Sequence, residues 1–195
     1  EALVGNSKTK GGTLFDIGCG EMNNTLKLKD EYEVVHAYDA DLELCEINQK
    51  KITKRKIENV TVVNQEVTEN WVKENADLLA GADILLSEVL EHRTQEQSLA
   101  LMKALLKVDA NKIVVTVPNK DFNKYYNIDE NGTRHDDHKW EPTQHEFSEF
   151  VMKLANNHIG DFAVTVQPIG DSVKNLDGTW SNVSLMAIFV NTKKQ

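Results

Sequence analysis

Glu88, Glu91 and His92 are the residues whose types and spacing point most directly to chemistry. They follow the apolar run Ile84-Leu85-Leu86, which reads as a covered parallel strand after a turn at Gly81. If the strand runs straight into helix, the three side chains fall at i, i+3 and i+4. They then share one face, close enough to hold one ion. Imidazole beside carboxylates suits a transition ion such as Mn²⁺ better than Mg²⁺, which prefers oxygen alone. In an open α/β sheet, ligands bind outside the carboxyl ends of the strands, so the group falls where chemistry usually falls. The competing reading is a helix start whose acids are favoured by the positive end of the dipole.

A second group lies downstream. Residues 120–141 show no strong period and exceed the length of most connections in compact domains, which marks a functional or disordered loop. The segment carries Phe122, Tyr125 and Tyr126, then Arg134-His135-Asp136-Asp137-His138-Lys139-Trp140. Aromatic rings stack on bases, and Arg grips phosphate or stacks. Two of the six histidines stand here, three residues apart. The competing reading is a polar surface loop.

The first half of the chain supplies a candidate cofactor site. Residues 13–17 read as a strand ending in Gly18-Cys19-Gly20-Glu21, the opening of a nucleotide-binding βαβ unit. A second strand, 33–38, ends at Asp39, which is placed to bond both ribose hydroxyls of an adenosine cofactor. Otherwise Asp39 caps the next helix, a role Asp41 fills equally well. After a third strand, 59–64, Gln65, Glu66 and Val67 lie within reach of an adenine. No pyrophosphate grip is present. The pattern Asp16-x-Gly18-x-Gly20, carrying its own acid, is typical of S-adenosylmethionine enzymes.

The remaining elements must hold these groups in place. The helix after the second strand ends in a basic stretch, 50–56, which reads as a solvated helix end rather than an RNA-facing patch. A helix at 71–79, a strand at 82–87, an amphipathic helix at 95–107 and a Val-rich strand at 112–117 follow. Then come a helix at 143–157, with Thr143 and Glu146 in capping-box spacing, and strands at 161–169 and 183–190 joined through Gly178. Alternating strands and helices specify a doubly wound α/β sheet with an antiparallel pair at its end.

With 195 residues, 40% of them hydrophobic and 27% charged, one domain spanning 1–195 is expected. No run approaches the roughly 20 apolar residues of a membrane span, and no signal peptide opens the chain. Glu1, not Met, comes first, as in a fragment of a longer protein. Cys19 and Cys45 have no metal spacing and suggest no disulfide framework, which fits a reducing cytoplasm. A net charge of −9 argues against tracking a long nucleic-acid backbone, but not against holding the end of a strand.

Read in order, FDIGCGE, YDAD, SEVLEH, TVPNKDFN, RHDDHKWEPTQHEF and PIGD resemble the RNA 3′-terminal ribose 2′-O-methyltransferases. These are the catalytic domains of bacterial RNA-repair systems and of eukaryotic small-RNA end modification. The resemblance covers nearly the whole chain. Its specific parts are the Glu-Val-x-Glu-His and Arg-His-x-Asp-His-x-aromatic-Glu combinations. It implies a Rossmann-like methyltransferase fold with a mostly parallel seven-stranded sheet and an antiparallel C-terminal pair. S-adenosylmethionine would be bound by Asp16, Gly18, Cys19, Gly20, Asp39, Ala40, Gln65, Glu66 and Ser87. A divalent ion, Mn²⁺ first with Mg²⁺ or Co²⁺ as alternatives, would be held by Glu88, Glu91, His92 and His138. His138 is preferred to His135 because it directly follows Asp137. Arg134, His135 and Asp137 join Glu88 and His92 as catalytic candidates, with His135 the base. The implied partners are an RNA 3′ end and an RNA-repair kinase or ligase, with no membrane.

The departures from the family pattern carry their own expectations. Met22 stands where a further Gly is usual and would crowd the methionine end of the cofactor. Pro142-Thr143-Gln144 replaces Trp-Thr-Arg, and Leu185 replaces a Gln, which would weaken the RNA face. Two other functions compete: metal-assisted O-methylation of a small diol such as a catechol, and an inactive methyltransferase-like module that binds a partner protein.

Overall fold

The computed structural model describes residues 11–158 and 160–194. Thr13–Ile17 (β1), Val34–Asp39 (β2), Val60–Asn64 (β3), Asp83–Ser87 (β4) and Lys112–Pro118 (β5) pair in parallel. Phe162–Lys174 (β6) and Trp180–Asn191 (β7) form an antiparallel hairpin, and β7 also pairs antiparallel with β5. The sheet order is β3-β2-β1-β4-β5-β7-β6. The chain reverses its direction of strand addition between β1 and β4, which opens a crevice at their carboxyl ends. The glycine turn leaves β1 there and Glu88 leaves β4 there.

The sheet is covered on both faces because successive residues of a strand point to opposite sides. Phe15, Ile84, Leu86, Ile113 and Val115 join one buried apolar cluster, while Leu14, Leu85 and Val114 join the other. The helices Glu69–Glu74 (α3), Ala76–Leu79 (α4), Gln95–Leu105 (α5) and Gln144–Ala155 (α6) supply Val72, Leu79, Leu101, Leu105, Phe147 and Phe150 to the first. The helix Leu42–Lys54 (α2) supplies Ile52 to the second. A short helix, Asn23–Leu28 (α1), follows the glycine turn.

Most expected elements are found, with instructive differences. The helix expected at 71–79 is two pieces, because Asn75 leaves helical geometry (φ −116, ψ 24) and its side chain donates to the Trp71 carbonyl at 2.8 Å. Both Thr94 and Thr143 close capping boxes, with Gln97 and Glu146. The last two strands are longer than expected and form a hairpin closed by Asn175 and Thr179. Register shifts at Gly170, where φ is +77 and a Cβ would come within 2.5 Å of Val183. Among the described residues, no helix is long and apolar enough to cross a membrane.

Two of the family departures fall in the core. Met22 is fully buried in the second apolar cluster, so it does not crowd the cofactor cleft. Its backbone takes φ 63, ψ 29, the left-handed geometry that Gly adopts freely and Met adopts only under strain. Leu185 is likewise fully buried and offers nothing to an RNA face. Met22→Gly should therefore relieve backbone strain yet lower stability by about 2 kcal/mol, because the loss of a buried Met side chain outweighs the gain. Chemical denaturation measures the sign, and a more stable Met22→Gly protein would refute it.

Candidate active site

The candidate cofactor cleft lies at the switch point and holds about 480 Å³. Gly18, Gly20, Asp39, Ala40, Gln65 and Glu66 line it, as the sequence suggests. Gly18 needs to be Gly: φ is +69, and a Cβ would come within 2.6 Å of Val89. Asp39 ends β2 with Oδ2 accepting from the Gly20 amide at 2.8 Å and Oδ1 from the Asp41 amide at 3.0 Å. Asp41, not Asp39, caps α2, accepting from the Leu44 amide at 3.0 Å. That leaves Asp39 on the cleft wall, a candidate acceptor for ligand hydroxyls.

Asp16, Cys19 and Ser87 are not among the residues lining the cleft. Asp16 is buried and accepts from Thr25 Oγ1 at 2.5 Å, pinning α1 against β1. Burial pushes its carboxyl up to about 6. Cys19 lies in the second apolar cluster, and Ser87 Oγ lies 3.2 Å from Thr116 Oγ1. The basic run ends with Arg55 and Lys56 beside Tyr32 and Asn59, at the amino ends of the strands and away from the crevice.

The metal candidates gather beside this cleft, but not on a helical face. Glu88 takes φ 57, so the chain turns sharply out of β4 before a single 3₁₀ turn at Leu90–His92. The Glu88 amide stays bonded to β5 through the Thr116 carbonyl at 3.1 Å and hydroxyl at 3.2 Å, which holds this conformation. Such a non-Gly outlier costs of the order of 1–3 kcal/mol and tends to occur at functional sites. Glu91, His92 and His138 come together, one ligand atom from each lying within 4.8 Å of the others. Glu88 stands apart from that trio, its Oε1 accepting from Thr116 Oγ1 at 2.8 Å.

Glu91 is the anomaly of the site. It is 1% exposed, and neither carboxylate oxygen has a hydrogen-bond partner among the described residues. Burial, with the charges of Glu88 and Glu141 nearby, pushes its carboxyl up to about 9. Buried polar groups are otherwise satisfied, so two orphaned oxygens beside two imidazoles fit a cation. Burial also raises the Glu88 carboxyl and lowers His92, which favours the neutral ring that can ligate an ion.

The downstream loop is a built structure. His92 Nδ1 meets Asp137 Oδ2 at 2.9 Å, and His138 Nδ1 meets Glu141 Oε1. The His135 ring is 5.0 Å from that of His138, and His135 is exposed. Arg134 is committed internally: Nε donates to Asn123 Oδ1 at 2.7 Å, and Nη2 to the carbonyls of Asn119 at 2.7 Å and Val183 at 2.8 Å. It holds the loop onto the ends of β5 and β7 instead of facing a phosphate.

Four residues of this site had no role in the sequence reading, although Glu141 closes its Arg-His-x-Asp-His-x-aromatic-Glu motif and Thr116 and Asn123 lie in TVPNKDFN. Thr116, Asn123 and Glu141 act through hydrogen bonds to the motif residues. For Glu141 the desolvation that raises its carboxyl is outweighed by bonds from Asn123, the Arg134 amide and His138, so its pKa falls. Arg93 lines the cleft, 3.4 Å from Glu66 and donating to the Val67 carbonyl at 3.1 Å. Its position directly after His92 was the available signal.

The crevice at the β1/β4 switch point and the sheet order define a methyltransferase fold. No protein-family model matches the chain. The chain is 33% identical over 78 residues to a small RNA 2′-O-methyltransferase of Tetrahymena thermophila, a match covering 38% of this chain and 18% of that relative. Its fold matches the crystal structure of small RNA methyltransferase HEN1 (TM-score 0.77, 22% identity, 100% of this chain and 25% of that one). It also matches the methyltransferase domain of bacterial CtHen1 (TM-score 0.70, 21% identity, 91% and 89%). A chain of the Pnkp1/Rnl/Hen1 RNA repair complex matches with TM-score 0.69 at 23% identity, over 92% and 38%. The chain is thus similar over 78 residues to a small RNA 2′-O-methyltransferase, and its fold matches the HEN1 methyltransferase structure along its full length. It spans less than a fifth of the Tetrahymena protein.

Proposed function

We propose that the chain is the catalytic domain of a metal-dependent methyltransferase. It moves a methyl group from S-adenosylmethionine to the 2′-hydroxyl of the 3′-terminal ribose of RNA, in RNA repair or RNA end protection. The observation that carries this reading is Glu91: a buried carboxylate with no partner, grouped with His92 and His138 at the edge of the adenosine cleft.

In this reading Asp39 accepts the cofactor's ribose hydroxyls, and Gln65 and Glu66 face its adenine. Glu91, His92 and His138 would hold the ion, with Glu88, bonded here to Thr116, as a further candidate ligand. Bound there, a divalent ion supplies orientation of the terminal diol and a lowered pKa for its hydroxyls. The chain's own part is then to place the 2′ oxygen in line with the methyl group, while His135 takes the proton. A transition ion, Mn²⁺ before Mg²⁺, follows from the two imidazoles. An RNA 3′ end fits a site that touches only the last nucleotides, despite the acidic chain. The similarity to a chain of an RNA repair complex supports a repair kinase or ligase as partner. Both cysteines are free, as suits a cytoplasmic enzyme.

The test is transfer of a labelled methyl group to a short RNA with a free 3′ end, with Mn²⁺ or with chelator. A matched RNA ending in 2′-deoxyribose is the control. Transfer is expected only with the ion and the terminal 2′-hydroxyl. Equal transfer in chelator would remove the metal from the reaction. Transfer to a catechol but not to RNA would establish the small-diol reading.

A further inference from the structure

Each histidine of the cluster carries a carboxylate on Nδ1, and the two pairs differ in burial. The side chains of His92 and Asp137 are 43% and 70% exposed. Those of His138 and Glu141 are 4% and 1% exposed. Glu141 also accepts from Asn123 Nδ2 at 2.6 Å and from the Arg134 amide at 2.7 Å. Asn123 Oδ1 in turn takes Arg134 Nε, and the same guanidinium reaches the Asn119 and Val183 carbonyls. A continuous chain of bonds therefore runs from the His138 ring, on a loop, to the ends of β5 and β7.

Resting on the metal reading above, we propose that Glu141 is the positioning residue of the centre. It keeps the proton of His138 on Nδ1 and fixes the ring, so that Nε2 is the unprotonated nitrogen offered to the ion. An ionised carboxylate can only accept, and Glu141 is surrounded by donors, so the hydrogen between it and His138 belongs to the imidazole. Ligating histidines commonly hold their other N–H in this way, and losing the outer partner typically costs 10–100-fold in metal affinity. His92 has the weaker version, because water competes for both members of its pair. The two carboxylates thus have unequal duties: Glu141 sets geometry and Asp137 only biases it.

The experiment uses the whole chain, ¹⁵N-labelled at histidine and free of metal. Long-range ¹H–¹⁵N spectra assign the tautomer, with the His138 signals identified by their loss in His138→Ala. Wild-type His138 is expected to be protonated on Nδ1, and Glu141→Gln to give a tautomer mixture. Electron paramagnetic resonance titration should show Mn²⁺ affinity falling about 10–100-fold in Glu141→Gln and only a few-fold in Asp137→Asn. A wild-type His138 protonated on Nε2 overturns the proposal without any variant having to fold. So does a Glu141→Gln protein that is folded by circular dichroism and keeps wild-type Mn²⁺ affinity. Failure of the wild type to bind Mn²⁺, with His138 still protonated on Nδ1, would instead overturn the metal reading and leave the Glu141–His138 bond standing.

Discussion

Glu91→Gln should flatten the pH dependence of stability in the metal-free protein and abolish tight Mn²⁺ binding. The Glu91 carboxyl sits near 4.5 when unfolded and near 9 when folded, chiefly through burial. An acid raised in the folded state gives its full stabilising contribution below the lower value and loses it as pH climbs to the upper. One pKa unit is worth 1.36 kcal/mol, so this group alone costs the wild type on the order of 4 kcal/mol between pH 5 and pH 8. For a domain of this size that is roughly 8–16 °C in melting temperature. Glu88, Glu141, Arg134, His92 and His138 also lie around it. They are common to both proteins, so the quantity to read is the difference between variant and wild type at each pH, by calorimetry in chelator. The variant's gain should grow steadily from pH 5 to pH 8. Added Mn²⁺ should remove the gain, because the ion favours the ionised carboxylate only the wild type has. S-adenosylmethionine binding should be unchanged, since Glu91 is not among the residues lining the cleft. A variant that tracks the wild type across pH would mean that Glu91 is not the strained acid of this site.

How far the sequence reached is best judged at Glu88 and Asp39. The periodicity of covered strands and amphipathic helices is written in the positions of apolar residues, and the sheet, its switch point and the antiparallel end were legible from it. The place of Asp39 on the cleft wall was legible too, because it needs only the end of β2. The arrangement of Glu88, Glu91 and His92 was not. Their spacing suits a helix, but the Glu88 amide bonds to Thr116 on a neighbouring strand, and that long-range contact sets a local φ no spacing rule contains. The same holds for Met22. Its place in the glycine loop suggested a cofactor neighbour, while the left-handed turn sends its side chain into the core. Ligand types were readable, then, and the turn at Glu88 that aims them was not, because it is fixed from β5.

Arg134 shows what is at stake in that distinction. As a phosphate grip, it would be dispensable to folding, and Arg134→Ala would weaken RNA binding while leaving the protein and its Mn²⁺ affinity intact. The structure assigns it the opposite duty. Its guanidinium satisfies Asn123 and two backbone carbonyls, and it stacks 5.3 Å from the Tyr126 ring. Arg134→Ala should therefore lower stability by about 2–3 kcal/mol, the cost of stranding those acceptors. The loop bearing His135 and His138 should loosen with it, so Mn²⁺ binding falls before any RNA is added. Arg134→Lys should not rescue, because one ammonium cannot span three acceptors as a planar fork does. Denaturation, Mn²⁺ titration and hydrogen exchange of residues 134–141 read the effect in the absence of RNA. Loss of RNA binding alone, with all three unchanged, would return Arg134 to the RNA face. Loss of all three together would show that this arginine sets the shape of the histidine-bearing loop from within.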